Sequence, residues 1–233
     1  MLGLMRVPLL SFFLLLPVVF SFGPRLHGES TVDPFAKWEK AISAFEEKDQ
    51  QNPPPKGGIV FVGSSSIARW TTLTDDFPHY RVLNRGFGGS QLIDSVHFAE
   101  RIVIPYQPRM VILYAGSNDI AAHKTPEQVF ADFQAFVEKV HAQLPKTEIA
   151  YISIAGNPAR WSQVEDVKKA NALIEGYIKD HAGLKFINVF PHMLGSDGLP
   201  LPNIFVQDRL HMNPEGYKIW TEVITPYLPA PDR

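Results

Sequence analysis

Hydrophobic and polar positions change period repeatedly along this chain. Runs that are apolar at nearly every position occur at 59–62, 82–83, 110–114, 149–154 and 186–190. Segments of helical period lie between and around them, at 94–104, 126–144, 164–181 and 214–227. In the second of these, Val129, Phe133, Phe136, Val137 and Val140 share one face. An earlier helix is expected from Pro34 onward, with Phe35, Trp38, Ile42 and Phe45 at helical spacing, Asp33 as N-cap and Pro34 at the first helical position. The proline-rich stretch 53–58 then breaks the helix and leads into the first strand. Short strands without alternation, separated by amphipathic helices, predict an α/β fold whose parallel sheet is covered on both faces. The pattern is that of one domain, residues 33–233.

The N-terminal stretch follows neither period. Residues 7–22 are apolar apart from Ser11 and Ser21, and Arg6 precedes them. An early positive charge before such a run suits an export signal. A membrane anchor is the other reading, although Pro8 and Pro17 weaken it as a spanning helix. Residues 1–28 are therefore read as a signal peptide or N-terminal anchor with its linker. The remainder is expected in the periplasm or outside the cell, with weak membrane association if the segment stays attached.

Composition narrows the chemistry. The 233 residues carry a net charge of −2, which gives no electrostatic footprint for nucleic acid. There is no cysteine, so disulfides, thiolate metal sites and cysteine nucleophiles are excluded. No Gly-x-Ser-x-Gly elbow, His-Glu-x-x-His, Walker-type loop or Gly-x-Gly-x-x-Gly occurs. His192 and Asp197 lie in a turn-rich loop and make a poor metal pair.

In open parallel sheets, ligand sites form beyond the carboxyl ends of the strands. There the chain reads Gly63-Ser64-Ser65-Ser66, then Asn84-Arg85-Gly86-Phe87-Gly88-Gly89-Ser90, then Gly116-Ser117-Asn118-Asp119. The fourth strand leads into a loop with Asn157, Arg160 and Trp161, and the last helix is preceded by Asp208-Arg209-Leu210-His211. A serine becomes a nucleophile when a histidine takes its proton and a carboxylate holds that histidine in one tautomer. The developing oxyanion needs N–H donors, which Gly88-Gly89 and Asn118 could supply. Each piece has a plain structural reading too. Gly88-Gly89 suits a turn, Asn118 a helix cap, and one Asp-x-x-His pair is expected by chance among eight histidines.

Taken together and in this order, the four blocks resemble those of the SGNH hydrolases, also called GDSL esterases and lipases, and the resemblance runs from Gly58 to Tyr227. It implies a flavodoxin-like three-layer α/β/α sandwich with five parallel strands ordered 2-1-3-4-5. It also implies hydrolysis of carboxylic esters or thioesters without metal or cofactor. By position, Ser65 is then the nucleophile, His211 the base and Asp208 its orienting acid. The Ser65 and Gly89 N–H groups and the Asn118 amide form the oxyanion hole, and Asp119 holds its loop. Ser64 stands where the family usually has aspartate. Arg69, Arg160 and Trp161 are candidates for substrate contact. The expected substrate is a small-molecule, glycan or lipid ester with a short acyl or acetyl group. The alternatives are a lysophospholipase- or thioesterase-type acyl hydrolase, a phosphodiesterase using the same serine, and a glycan- or lipid-binding domain without turnover.

Overall fold

In the computed structural model, residues 33–231 are described. The N-terminal segment read as an export signal or anchor lies outside them. No helix among the described residues is long and apolar enough to cross a membrane.

Five strands form one parallel sheet: β1 (Ile59–Gly63), β2 (Val82–Gly86), β3 (Met110–Tyr114), β4 (Glu148–Ile152) and β5 (Leu184–Ile187). Their order is β2-β1-β3-β4-β5, as expected from the family blocks. Alternate residues point to opposite faces. Val60, Val62, Val111, Leu113, Ile149 and Tyr151 face one core. Ile59, Phe61, Met110, Ile112, Ala150 and Ile152 face the other. Both faces are dry, which explains why these strands carry no polar alternation.

The first core is covered by α1 (Glu39–Gln51), α4 (Leu92–Ile102), α6 (Pro126–His141) and α7 (Val164–Lys179). The second is covered by α2 (Ser65–Ala68), α3 (Leu73–Asp76) and α8 (Pro214–Ile224). A short helix, α5 (Ser117–Ala121), follows β3. The face predicted for α6 is the buried one, with Phe133 and Phe136 fully enclosed. Each such ring contributes about 1.5–3 kcal/mol by leaving water. The N-terminus of α6 is closed by a reciprocal pair, Gln128 N–H to Thr125 Oγ1 and Thr125 N–H to Gln128 Oε1.

Two expectations are corrected. The first helix does not begin at Pro34 under an Asp33 cap. A 3-10 turn at Ala36–Trp38 comes first, with Trp38 N–H bonded to the Phe35 carbonyl at 2.9 Å. The Phe35 ring is stacked on His97, with centroids 3.8 Å apart, and this anchor sets where the helix can start. Next, β2 extends through Asn84, Arg85 and Gly86, which the apolar pattern had left as loop. Their polar groups are satisfied by groups from other elements. Asn84 donates to the Ile67 carbonyl, and Arg85 is paired with Asp49 and bonded to the Tyr106 hydroxyl. Arg69 caps the carboxyl end of the short helix after β1, and Trp70 follows it. Trp70 is buried as an aromatic hub against Phe61, Phe77, Tyr217 and Trp220.

Candidate active site

The carboxyl ends of β1 and β3 are neighbours, and strand order reverses direction between them. That is where an open parallel sheet leaves a crevice. Gly63 ends β1 with φ +145°, and a Cβ there would lie 1.9 Å from the Tyr114 carbonyl oxygen. Only glycine passes β3 so closely. The chain then turns at once into α2. Ser64 donates to the Tyr114 carbonyl, and its own carbonyl accepts the N–H groups of Ile67 and Ala68. Ser65 thus becomes the first helical residue, and its N–H has no intrahelical acceptor.

The three adjacent serines part company here. Ser64 is buried. Ser66 shares the cavity with Tyr114, a phenol whose pKa burial raises and which therefore stays neutral. Ser65 alone reaches the histidine, with Oγ 2.9 Å from His211 Nε2.

His211 is presented by a tight loop. Val206 N–H bonds to the His211 carbonyl at 2.8 Å, and Arg209 adopts a left-handed φ of +59° to close the turn. Such a conformation costs about 1–3 kcal/mol in a non-glycine residue. Asp208 offsets it. Its Oδ1 accepts the Leu210 and His211 N–H groups at 2.9 Å each, and its Oδ2 accepts His211 Nδ1–H at 2.6 Å. These bonds, the His211 N–H foremost, hold the Asp208 carboxyl well below the usual carboxylate range. Asp208 therefore stays ionised and keeps the ring proton on Nδ1, which leaves Nε2 to accept from Ser65. Asn213 caps the following helix by accepting Gly216 N–H, with Pro214 at the first helical position.

Asn118 comes from α5. Gly116, at φ +117°, turns the chain out of β3 against Ile154 and delivers Ser117 and Asn118 to the cavity that also holds Ser65 and His211. The Asn118 Nδ2 donates to the Ser90 carbonyl at 2.9 Å, and its Oδ1 accepts from Arg160 Nη1 at 3.0 Å. Asp119, fully buried, accepts Leu92 N–H and the Lys124 ammonium, and so ties α5 to the start of α4. Burial raises its pKa against the opposing pull of Lys124. The Gly88-Gly89 turn lies beside Ser65, since a Cβ on Gly88 would come within 3.9 Å of the Ser65 Cβ. Gly89 has φ +83° and leaves its open side to Trp38. Neither the Ser65 N–H nor the Gly89 N–H has an acceptor among the described residues.

This arrangement sits within the span of a known family model. Residues 60–219 match the GDSL-like lipase/acylhydrolase family. The chain belongs to that family. Comparison with curated protein sequences gives no match. Among solved structures, a Streptococcus pneumonia protein named for platelet activating factor superposes at TM-score 0.72 with 20% identity, over 82% of this chain and 92% of that one. A GDSL-like lipase from Bacteroides thetaiotaomicron gives TM-score 0.69 at 22% identity, over 80% and 96%. A variant of an acetyl-xylooligosaccharide esterase from Geobacillus stearothermophilus gives 0.59 at 14% identity, over 74% and 94%. At these identities the neighbours support the fold, and the family supports hydrolysis of esters.

The candidate substrate residues of this GDSL-family chain separate in space. Arg160 lines the Ser65 cavity together with Tyr114, Ser117, Asn157 and Leu210. Trp161 packs over Gly156 and lines an adjoining cavity of about 330 Å³, with Pro158, Leu199, Phe205 and Arg209. Arg69 is exposed at the end of α2 and lines neither. A cavity of about 520 Å³ between α1 and α4 lies at the opposite, amino-terminal ends of the strands, and no serine or histidine lines it. Sequence reading gave no role to Ser117, Asn157 or the Ser90 carbonyl. Of these only Asn157 left a signal, as an Asn-Pro cap before a helical turn.

Proposed function

We propose that this chain is a serine esterase that cleaves short-acyl or acetyl carboxylic esters through an acyl-enzyme. The observation that carries this reading is the hydrogen-bonded line from Ser65 through His211 to Asp208. In the first step Ser65 Oγ attacks the ester carbonyl as His211 Nε2 takes its proton. The oxyanion collects the Ser65 and Gly89 N–H groups and the free Nδ2–H of Asn118, each worth about 3 kcal/mol in known cases. His211 then protonates the leaving alcohol, and the C–O bond breaks to leave an ester on Ser65. Water attacks that ester with His211 again as base, and the acid departs as Ser65 regains its proton.

Preference for a short acyl group is supported by the space beside Ser65. That cavity holds only about 20 Å³ and is hemmed in by Tyr114, Asn157, Arg160 and Leu210. The larger neighbouring cavity at Trp161 has room for the alcohol part.

The test is a series of nitrophenyl esters of increasing chain length, run beside acetylated xylan, on the wild type and Ser65→Ala. Acetate should turn over fastest and the variant should be inactive. A fluorophosphonate should label the wild type only. An unlabelled wild type would mean a binding domain, and a rate rising with chain length would favour the lipid acyl hydrolase.

A further inference from the structure

We propose that Arg160 is a positioning residue that locks the Asn118 carboxamide with its N–H, rather than its carbonyl, toward the oxyanion. This rests on the esterase reading above and adds a residue to it. A carboxamide turns about a torsion with two nearly equivalent wells, and a half-turn exchanges donor for acceptor. In the flipped state Asn118 would present an oxygen to a developing negative charge.

Two bonds select one well. Arg160 Nη1 donates to Asn118 Oδ1 at 3.0 Å, and Asn118 Nδ2 donates to the Ser90 carbonyl at 2.9 Å. Flipping would set oxygen against the Ser90 carbonyl and an amine against the guanidinium, losing both at once. One of the two Nδ2 hydrogens is spent on Ser90, and the other remains for the substrate. A cationic donor on Oδ1 also polarises the amide and strengthens that remaining N–H.

The guanidinium is itself held. The same Nη1 donates to Ser117 Oγ at 2.8 Å. The Arg160 N–H bonds to Asn157 Oδ1 at 3.0 Å, where the turn Pro158–Gln163 departs from helical geometry at Arg160. The chain after β4 thus reaches across to α5 and fixes a group that α5 alone would leave free to turn. Arg160 acts on the reaction through Asn118, which distinguishes it from a residue that grips substrate directly.

A double-mutant cycle on 4-nitrophenyl acetate separates the two. Asn118→Ala should lower kcat by about 10²–10³ with KM little changed. Arg160→Met should lower kcat about tenfold, the effect of one charge-assisted bond, again with KM little changed. Arg160→Lys keeps a cationic donor and should recover part of that loss. It also serves if the Met variant folds poorly, as thermal unfolding will report. In the Asn118→Ala background, Arg160→Met should change kcat by less than about twofold, because nothing is left to position. The proposal is overturned if Arg160→Met costs the same factor in both backgrounds, or if its whole effect is on KM. If Asn118→Ala fails to slow turnover, the oxyanion assignment itself is wrong and this proposal falls with it.

Discussion

Replacing Asp208 by asparagine changes one atom and should nearly silence the enzyme. Asp208 Oδ1 accepts two backbone N–H groups at 2.9 Å, and Oδ2 accepts His211 Nδ1–H at 2.6 Å. An asparagine must keep its oxygen on the two N–H groups, since its amine there would face two donors. Its amine then faces Nδ1, which can bond only by accepting. The ring proton moves to Nε2, the atom 2.9 Å from Ser65 Oγ, and a protonated Nε2 cannot take the serine proton. The corresponding change in a serine protease lowers kcat about 10⁴-fold, or about 5.4 kcal/mol at 1.36 kcal/mol per decade. The Asp208 side chain is 44% exposed and asparagine keeps the oxygen that accepts the Leu210 and His211 N–H groups, so the fold should persist and the melting temperature should fall by only about 2–4 °C, or about 1 kcal/mol. The assay is steady-state kcat on 4-nitrophenyl acetate with thermal unfolding and fluorophosphonate labelling in parallel. A kcat within tenfold of wild type would refute the tautomer argument. A loss of activity that tracks loss of fold would refute it equally.

Ser64→Ala and Ser66→Ala should each keep measurable esterase activity while Ser65→Ala keeps essentially none, and equal loss from all three would undo the choice among them. Gly63→Ala places a methyl group 1.9 Å from the Tyr114 carbonyl at φ +145°. It should cost at least about 3 kcal/mol and lower the melting temperature by roughly 6–12 °C, and an unchanged melting curve would contradict this. The Asp208 carboxyl has its folded pKa held below its unfolded value of about 3.9. Its stabilising contribution is therefore complete above that value and lost as pH falls through the folded one. The difference in unfolding free energy between wild type and Asp208→Asn should stay level from about pH 8 to 5 and shrink only below about pH 4, as chemical denaturation will show. A difference that shrinks between about pH 7 and 5 would place the titration on another group.

Much of the sheet was legible because its strands are buried on both sides. Val60, Phe61, Val111, Ile112 and Ile149 are each apolar for the same reason: both faces of the sheet are covered. The exception proves the mechanism. Asn84 and Arg85 belong to β2, yet Asn84 is answered by the Ile67 carbonyl and Arg85 by Asp49 and Tyr106, all far away in the chain. No local pattern can report a partner 36 positions off. The start of α1 was misread likewise, because a 3-10 turn at Ala36–Trp38 comes first and Phe35 stacks on the distant His97 ring.

The sequence by itself determined the layered parallel fold, the family, and the residue types able to carry an acyl transfer. These depend on periodicity and on short blocks in order, which are properties of neighbours along the chain. Only the tertiary structure decided which of three adjacent serines meets the histidine, that Arg160 bonds Asn118 while Arg69 stays outside, and how narrow the cavity beside Ser65 is. Those outcomes turn on distances of about 3 Å between groups as far as 146 residues apart. Such distances are set when α2, α5 and the loop before α8 dock on one sheet edge, and no spacing along the chain encodes them.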